Sequence, residues 1–116
     1  MTTSQILELD CRIEKSKEII QKTLRQIKPL AKCPEGKQIP LEKIERCFKV
    51  LCNKYDMCVP LAGFVLDTKA SDEYVIWRCK IETLKGHEVG TAYGCTFYEC
   101  MAKAVILMYS KTRSKR

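Results

Sequence analysis

The sequence predicts an α+β fold: a long N-terminal helix followed by an α-β-β-β-α unit, whose three-stranded antiparallel sheet is backed by two helices. Three observations predict it. Apolar residues recur at steps of three and four in residues 41–55 and 97–108, and at every second residue in 74–82. Polar and glycine-bearing segments separate these stretches. Two helices on one face of a sheet bury every apolar stripe at once and leave the other sheet face open.

The length and composition indicate one soluble domain. A chain of 116 residues buries roughly two-thirds of its unfolded surface, which is enough for a single core. Hydrophobic content of 46% and charged content of 30% are typical of globular proteins. No apolar run has the length of a membrane span and no secretion signal opens the chain, so we expect an intracellular protein without a membrane partner.

The eight cysteines are interpreted as reduced thiols of a cytoplasmic or nuclear protein. Their spacings never form the paired C-x2-C knuckle of a structural zinc site. Free cysteine behaves as a small apolar residue, so most of them are expected to fill the core. We therefore predict no metal and no cofactor. The cysteines in or beside apolar stripes are Cys47, Cys52, Cys79, Cys95 and Cys100.

The segment Thr2–Lys28 has the spacing of one long amphipathic helix. Thr2 and Gln5 form a capping-box pattern at its start, and Pro29 ends it because the residue before a proline is disfavoured in the helical region. A helix of this length on so small a domain is expected to project or to pair. Its stripe is thus the candidate surface for a protein partner or a homodimer, and consists of Ile6, Leu9, Ile13, Ile20, Leu24 and Ile27.

Composition divides the chain into four parts. Residues 1–29 are the N-terminal amphipathic helix, and 30–39, which contain a proline and a glycine, are a linker. Residues 40–110 form the αβββα domain, and 111–116 are a short basic tail.

Within the domain, the three strands are expected over Cys58–Leu66, Tyr74–Glu82 and His87–Tyr93. The second is the most regular, because its residues alternate between a core face and a face that mixes aromatic and cationic groups. Its core face consists of Val75, Trp77, Cys79 and Ile81.

The two helices that back the sheet are predicted from apolar stripes. The first covers Leu41–Tyr55. The last begins behind Thr96, which with Glu99 three residues later forms a capping-box pattern. Its buried stripe comprises Phe97, Met101, Ala104, Val105 and Met108.

From Pro40 to Tyr109 this order resembles the double-stranded RNA-binding domain. The likeness covers about the last two-thirds of the chain and consists of topology and hydrophobic pattern. It implies the αβββα fold and, as that family's activity, binding of duplex RNA. The segments that carry it are the helix Leu41–Tyr55, the strand entry Val59-Pro60, the strand Tyr74-Val75-Ile76-Trp77, the glycine-bearing strand Gly90-Thr91-Ala92, and the last helix with Ala102 and Ala104.

The contact residues of that family are mostly missing. Members grip duplex phosphates with lysines at the start of the last helix, where this chain has Thr96-Phe97-Tyr98-Glu99. They also use a histidine in the first hairpin, whereas Asp67–Glu73 contains only Lys69 as a basic residue. The resemblance therefore supports the fold more than the activity.

The charge pattern favours nucleic acid as a partner. The chain carries 21 Lys and Arg against 14 Asp and Glu, a net charge of +7, with the excess at its two ends. Cations beside aromatics on a sheet suit single strands, and cations along a helix suit a duplex backbone. We expect sequence-tolerant, phosphate-led binding of RNA or DNA. The candidate residues are Arg78, Lys80, Tyr74, Lys103, Lys111, Arg113, Lys115 and Arg116.

The alternative is a protein-protein interaction module, such as a viral or phage accessory protein, an adaptor or an inhibitor. It would act through the N-terminal helix or through the open sheet face, which carries Ile76.

Catalysis is not expected. Cys95 precedes a helix N-terminus, where the dipole would lower its pKa, and His87 is the sole histidine in the sequence. The sequence shows no acid that would orient such a pair and no oxyanion arrangement. Gly86, Gly90 and Gly94 precede the same helix, but no lysine follows Gly94 as a nucleotide-triphosphate loop requires.

Overall fold

The computed structural model describes residues 1–54, 57–58, 64–67 and 76–114. In these residues the chain has an α+β fold, as the sequence predicts. The helices are α1 (Thr3–Leu7), α2 (Glu14–Arg25), a short 3₁₀ helix (Lys28–Leu30), α3 (Leu41–Lys54) and α4 (Phe97–Ser114). The strands are β1 (Met57–Cys58), β2 (Phe64–Asp67), β3 (Ile76–Thr83) and β4 (Glu88–Gly94).

The sheet is organised around β3. Strand β4 pairs with one edge of β3 in antiparallel orientation along most of its length. Strand β2 pairs with the start of the other edge, and β1 pairs with the end of that same edge. Cys79 and Ile81 of β3 are fully buried. Arg78, which precedes Cys79, and Lys80, which lies between the two buried residues, are exposed. The alternation predicted from the sequence is therefore present in β3.

The sheet differs from the predicted one of three hairpin-linked strands. The expected first strand Cys58–Leu66 is not seen as one strand, because the structure has the two-residue β1 and the four-residue β2, and residues 59–63 lie outside the described part. Within the described residues, the longest pairing is that of β3 with β4, whereas β2 pairs with β3 over four residues and β1 over two.

A bulge bends β4 next to Gly90. Ile81 lies opposite Gly90, but the next residue of β3 lies opposite Glu88, so Val89 is an extra residue in β4. Gly90 has a φ of 156°, and a Cβ built there would lie 2.9 Å from a methyl carbon of Leu107 in α4. The positive φ therefore favours glycine at this position, and a Cβ there would also require the Leu107 side chain to shift.

The predicted single helix over Thr2–Lys28 is wrong, because α1 ends at Leu7 and α2 begins at Glu14. The interruption lies around Asp10, whose carboxylate accepts a hydrogen bond from the backbone N–H of Arg12 at 3.0 Å. Such a local bond stabilises a turn and competes with the helix. Apolar spacing continues across this turn, which is why periodicity alone merges the two helices.

The predicted N-cap of α1 is confirmed. The Thr2 hydroxyl accepts a hydrogen bond from the backbone N–H of Gln5 at 3.3 Å, and Gln5 Oε1 accepts one from the backbone N–H of Thr2 at 2.8 Å. Two amides that a helix start leaves without partners are thereby satisfied.

The N-terminal helices pack on the rest of the chain instead of projecting from it. Both α1 and α2 contact α4, and the 3₁₀ helix contacts α3. Gln21 of α2 donates to the Tyr98 hydroxyl at 3.0 Å and accepts from the Ile39 N–H at 2.9 Å, while the Tyr98 hydroxyl donates to the Ile39 carbonyl. The segment 30–39, predicted as a linker, is held by these bonds and by the buried side chains of Leu30, Cys33 and Ile39.

Helix α4 is the centre of the core. All its side chains from Glu99 to Met108 are buried between the sheet, α3 and the N-terminal helices. Aromatic rings fill the end of the core near the start of α4, with centroid distances of 5.1 to 5.3 Å that are favourable for ring pairs. These rings belong to Phe48, Phe64, Trp77 and Phe97. Among the residues described, no helix combines the length and the apolar character that crossing a bilayer requires.

Candidate nucleic-acid interface

The outer face of β3 and β4 brings cations and an aromatic ring together. Arg78 and Lys80 of β3 are both exposed and lie two residues apart on the same face. In the register of the sheet Arg78 lies opposite Tyr93 of β4, and Lys80 lies opposite Thr91. Directly opposed residues have Cβ atoms about 5 Å apart. We call the surface formed by these four residues the outer sheet face.

One end of this face is acidic. Lys80 Nζ lies 3.4 Å from Glu82 Oε1, and both side chains are partly exposed. The exposed Glu88 lies opposite Glu82 in the register. Like charges placed opposite each other repel, and both would repel phosphate. The Arg78 and Tyr93 end of the face is therefore the end that suits an anionic partner.

Lys103 does not lie on this surface. Its side chain is 4% exposed, and its ammonium group donates to Glu99 Oε1 at 2.9 Å and to the Leu9 carbonyl at 2.7 Å. A lysine engaged in this way is not available to an external phosphate, so the sequence-based assignment of Lys103 as a contact is wrong. Lysine side chains are almost never fully buried unless they are paired, so the sequence alone predicts an exposed Lys103.

The remaining predicted contacts lie at the ends of the described residues. Lys111 is exposed in the last turn of α4, and the backbone of Arg113 belongs to the same helix. Tyr74, Lys115 and Arg116 lie outside the described residues.

The stripe predicted to bind a partner is used mostly inside the molecule. Ile6, Ile20, Leu24 and Ile27 are buried in the core, and Leu9 packs against it. Ile13 is 56% exposed, because it stands at the N-cap position of α2. A partner that bound this stripe would first have to displace α1 and α2 from α4.

Cys95 and His87 do not form a catalytic pair. They stand at opposite ends of β4, which separates them by about 25 Å at the rise of an extended strand. His87 is exposed in the β3–β4 turn. Partial burial and the neighbouring Glu99 carboxylate raise the pKa of the Cys95 thiol. A raised pKa leaves little thiolate at neutral pH, which is the opposite of what a nucleophile needs.

Three further thiols also have raised pKa values. Burial raises the pKa of Cys47 to about 11 and that of Cys79 to about 12. For Cys11, burial and then Glu99 raise the pKa to about 12. The seven cysteines whose side chains are described are free thiols, and in that part of the chain no three potential ligands among His, Cys, Asp and Glu gather around a point that could hold a metal ion.

A cavity of about 410 Å³ lies beside the start of α4, with Tyr98, Glu99 and Ala102 in its wall. The carboxylate of Glu99 already accepts hydrogen bonds from groups of the protein. Glu99 accepts from the N–H of Cys95 at 2.8 Å and from that of Cys11 at 3.4 Å, in addition to Lys103. The Glu99 carboxylate in the wall of this cavity is therefore fully engaged by groups of the protein.

Sequence reasoning missed Tyr93 as a member of the outer sheet face. The alternation of Thr91 and Tyr93 with the buried Ala92 carries the signal, because it places Tyr93 on the outer side of β4. Comparison with protein-family models, with curated proteins and with solved structures gave no match.

Proposed function

We propose that the protein binds nucleic acid, RNA or DNA, in a sequence-tolerant and phosphate-led manner through its outer sheet face. The observation that carries this proposal is the position of Arg78 opposite Tyr93, with Lys80 two residues further along the same exposed face. A cation beside an aromatic ring offers a phosphate contact and a surface for a base at one place.

Electrostatics supports the proposal in two ways. The net charge of +7 attracts polyanions from a distance and accelerates their association. The ion pair between Lys80 and Glu82 is solvent-exposed and contributes at most about 1 kcal/mol, so Lys80 exchanges Glu82 for a phosphate at small cost.

The test is a salt series with labelled single-stranded and duplex RNA and DNA, measured by fluorescence anisotropy. We expect binding at low salt whose affinity falls steeply as salt is added, because each neutralised phosphate releases counterions. The double variant Arg78→Ala/Lys80→Ala should weaken binding and reduce the salt slope by about 2.

The matched control is Lys43→Ala/Lys49→Ala. It removes the same charge from the exposed side of α3, on the other side of the sheet from the outer face. An equal loss of affinity in both double variants would show that binding depends on the net charge of the protein and not on the outer sheet face. The absence of retention of any nucleic acid at low salt would overturn the proposal.

A further inference from the structure

We infer that the nucleic acid accepted by the outer sheet face is single-stranded, and that Tyr93 is the side chain on which a base stacks. The inference rests on the proposed function and adds to it a substrate class and a binding residue.

Tyr93 is exposed because side chains alternate between the two faces of β4. Its neighbours Ala92 and Gly94 are buried against the core, so the alternation of β4 turns Tyr93 outward, where it is 45% exposed. The other aromatic side chains described in this part of the sheet point the other way: Trp77 and Phe64 pack in the core with Phe97. Tyr93 therefore adds no ring to the core and presents part of its surface to solvent.

Among the residues that the structure describes, the outer sheet face carries two cations, which is fewer than a duplex interface commonly uses. Arg78 and Lys80 lie about 7 Å apart along β3 at the rise of a strand. The acidic end begins at Glu82, about 13 Å from Arg78 on the same rise. Duplex binders commonly engage six to ten phosphates, whereas two cations within this span serve a short stretch of one strand.

A single strand also has bases whose faces are free to stack on Tyr93. Bases in a duplex are stacked on each other, and their faces are closed to an external ring. An unpaired base is open to stacking on an aromatic side chain while its phosphate meets the neighbouring cation. The direct opposition of Arg78 and Tyr93 in the register places these two groups at neighbouring points of one surface.

The experiment compares Tyr93→Ala with Tyr93→Phe in the full chain, with a labelled oligothymidine and the matching duplex as probes. Wild type should bind the single strand at least tenfold more tightly than the duplex. Tyr93→Ala should weaken single-strand binding by roughly five- to 150-fold, the usual effect of removing a stacking ring. Tyr93→Phe keeps the ring and should stay within about twofold of wild type. The salt slope should be unchanged in Tyr93→Ala, because no phosphate contact is lost.

The outcomes separate this inference from the proposed function. Salt-sensitive binding that is equally tight for duplex and single strand, or that Tyr93→Ala leaves unchanged, overturns the inference while the proposed function stands. Binding of neither probe at low salt overturns both. Circular dichroism and the thermal midpoint of Tyr93→Ala should match those of wild type, since the side chain is outside the core; an unfolded variant would contradict the exposed position on which the inference depends.

Discussion

Lys103 Nζ lies 2.9 Å from Glu99 Oε1, and the two side chains are 4% and 5% exposed. They stand one turn apart in α4, and each also binds the segment between α1 and α2: Lys103 through the Leu9 carbonyl and Glu99 through the Cys11 N–H. An ion pair between two neighbouring turns of one helix is thereby also one of the polar attachments of the N-terminal segment to α4.

Removing one partner of this pair should destabilise the protein strongly. Lys103→Met leaves the Glu99 carboxylate buried without its cation, and we expect a loss of about 3 to 5 kcal/mol in the free energy of unfolding. The double variant Glu99→Gln/Lys103→Met leaves no buried charge and should be less destabilised than the single one. Urea denaturation of the three proteins measures this. A double variant that is destabilised as much as Lys103→Met, or more, would contradict the expectation.

The packing of the N-terminal helices can be tested at two positions of the predicted stripe. Leu24 is fully buried, so Leu24→Ala should cost about 2 to 5 kcal/mol of stability. Ile13→Ala serves as the control, because Ile13 is more than half exposed and its truncation should change stability by less than about 0.5 kcal/mol. Thermal or urea unfolding distinguishes the two. A small effect at Leu24 would mean that the helices leave α4 in solution.

Stability should fall in alkaline solution because several thiols have raised pKa values. Their protonated form is favoured in the folded state, so their contribution is fully present below an ordinary thiol pKa of 9.0 and is lost as pH rises through about 11 to 12. Unfolding free energies measured under reducing conditions from pH 8 upward should show this decline. Cys11→Ser should show a shallower decline, since serine does not ionise there; an identical slope would contradict the role of Cys11.

Gly94 should not tolerate a side chain. A Cβ at this position would lie 2.5 Å from the backbone nitrogen of Cys100 in the first turn of α4, and backbone atoms of a packed helix cannot move aside cheaply. We expect Gly94→Ala to cost about 3 kcal/mol, at the upper end of overpacking effects. Gly86→Ala is the control: it has open space but a φ of 83°, and should cost about 1 to 2 kcal/mol. Equal costs would show that α4 yields at this contact.

The acidic end of the outer sheet face should limit binding. Glu88→Gln removes one exposed negative charge. If a bound phosphate lies about 7 Å from that charge in water, the change should strengthen nucleic-acid binding by about twofold to threefold at low salt. The gain should disappear at high salt, because exposed charges are screened. Glu42→Gln on the exposed side of α3 makes the same change in net charge elsewhere, and a gain of equal size there would exclude a local effect.

The sequence predicted those elements whose own residues carry the signal. Helix α3 and strand β3 each bury one regular face, and the N-caps at Thr2 and Thr96 are formed by bonds within one turn. For α4 the Thr96 hydroxyl accepts from the Glu99 N–H at 3.1 Å, as expected. The reciprocal bond differs by one residue, since Glu99 takes the N–H of Cys95 instead.

What the sequence could not show are features that depend on distant parts of the chain. The burial of Lys103 requires the Leu9 carbonyl, 94 residues away, to reach the helix. The break around Asp10 is local, but it is visible only if an aspartate turn is weighed against a periodicity that continues through it. Register across strands, which sets Arg78 opposite Tyr93, likewise follows from the turn and the bulge and not from either strand alone.

The attachment of the first two helices to the last one has a consequence for synthesis on the ribosome. Residues 3–25 emerge first, yet the surface that shelters their apolar side chains is supplied by residues 97–114. During most of translation these short helices have nowhere to dock, and isolated helices of this length are marginal in water. The nascent chain must therefore carry the apolar side chains of α1 and α2 exposed until α4 has been synthesised, and over that interval they are accessible to chaperones and prone to aggregation.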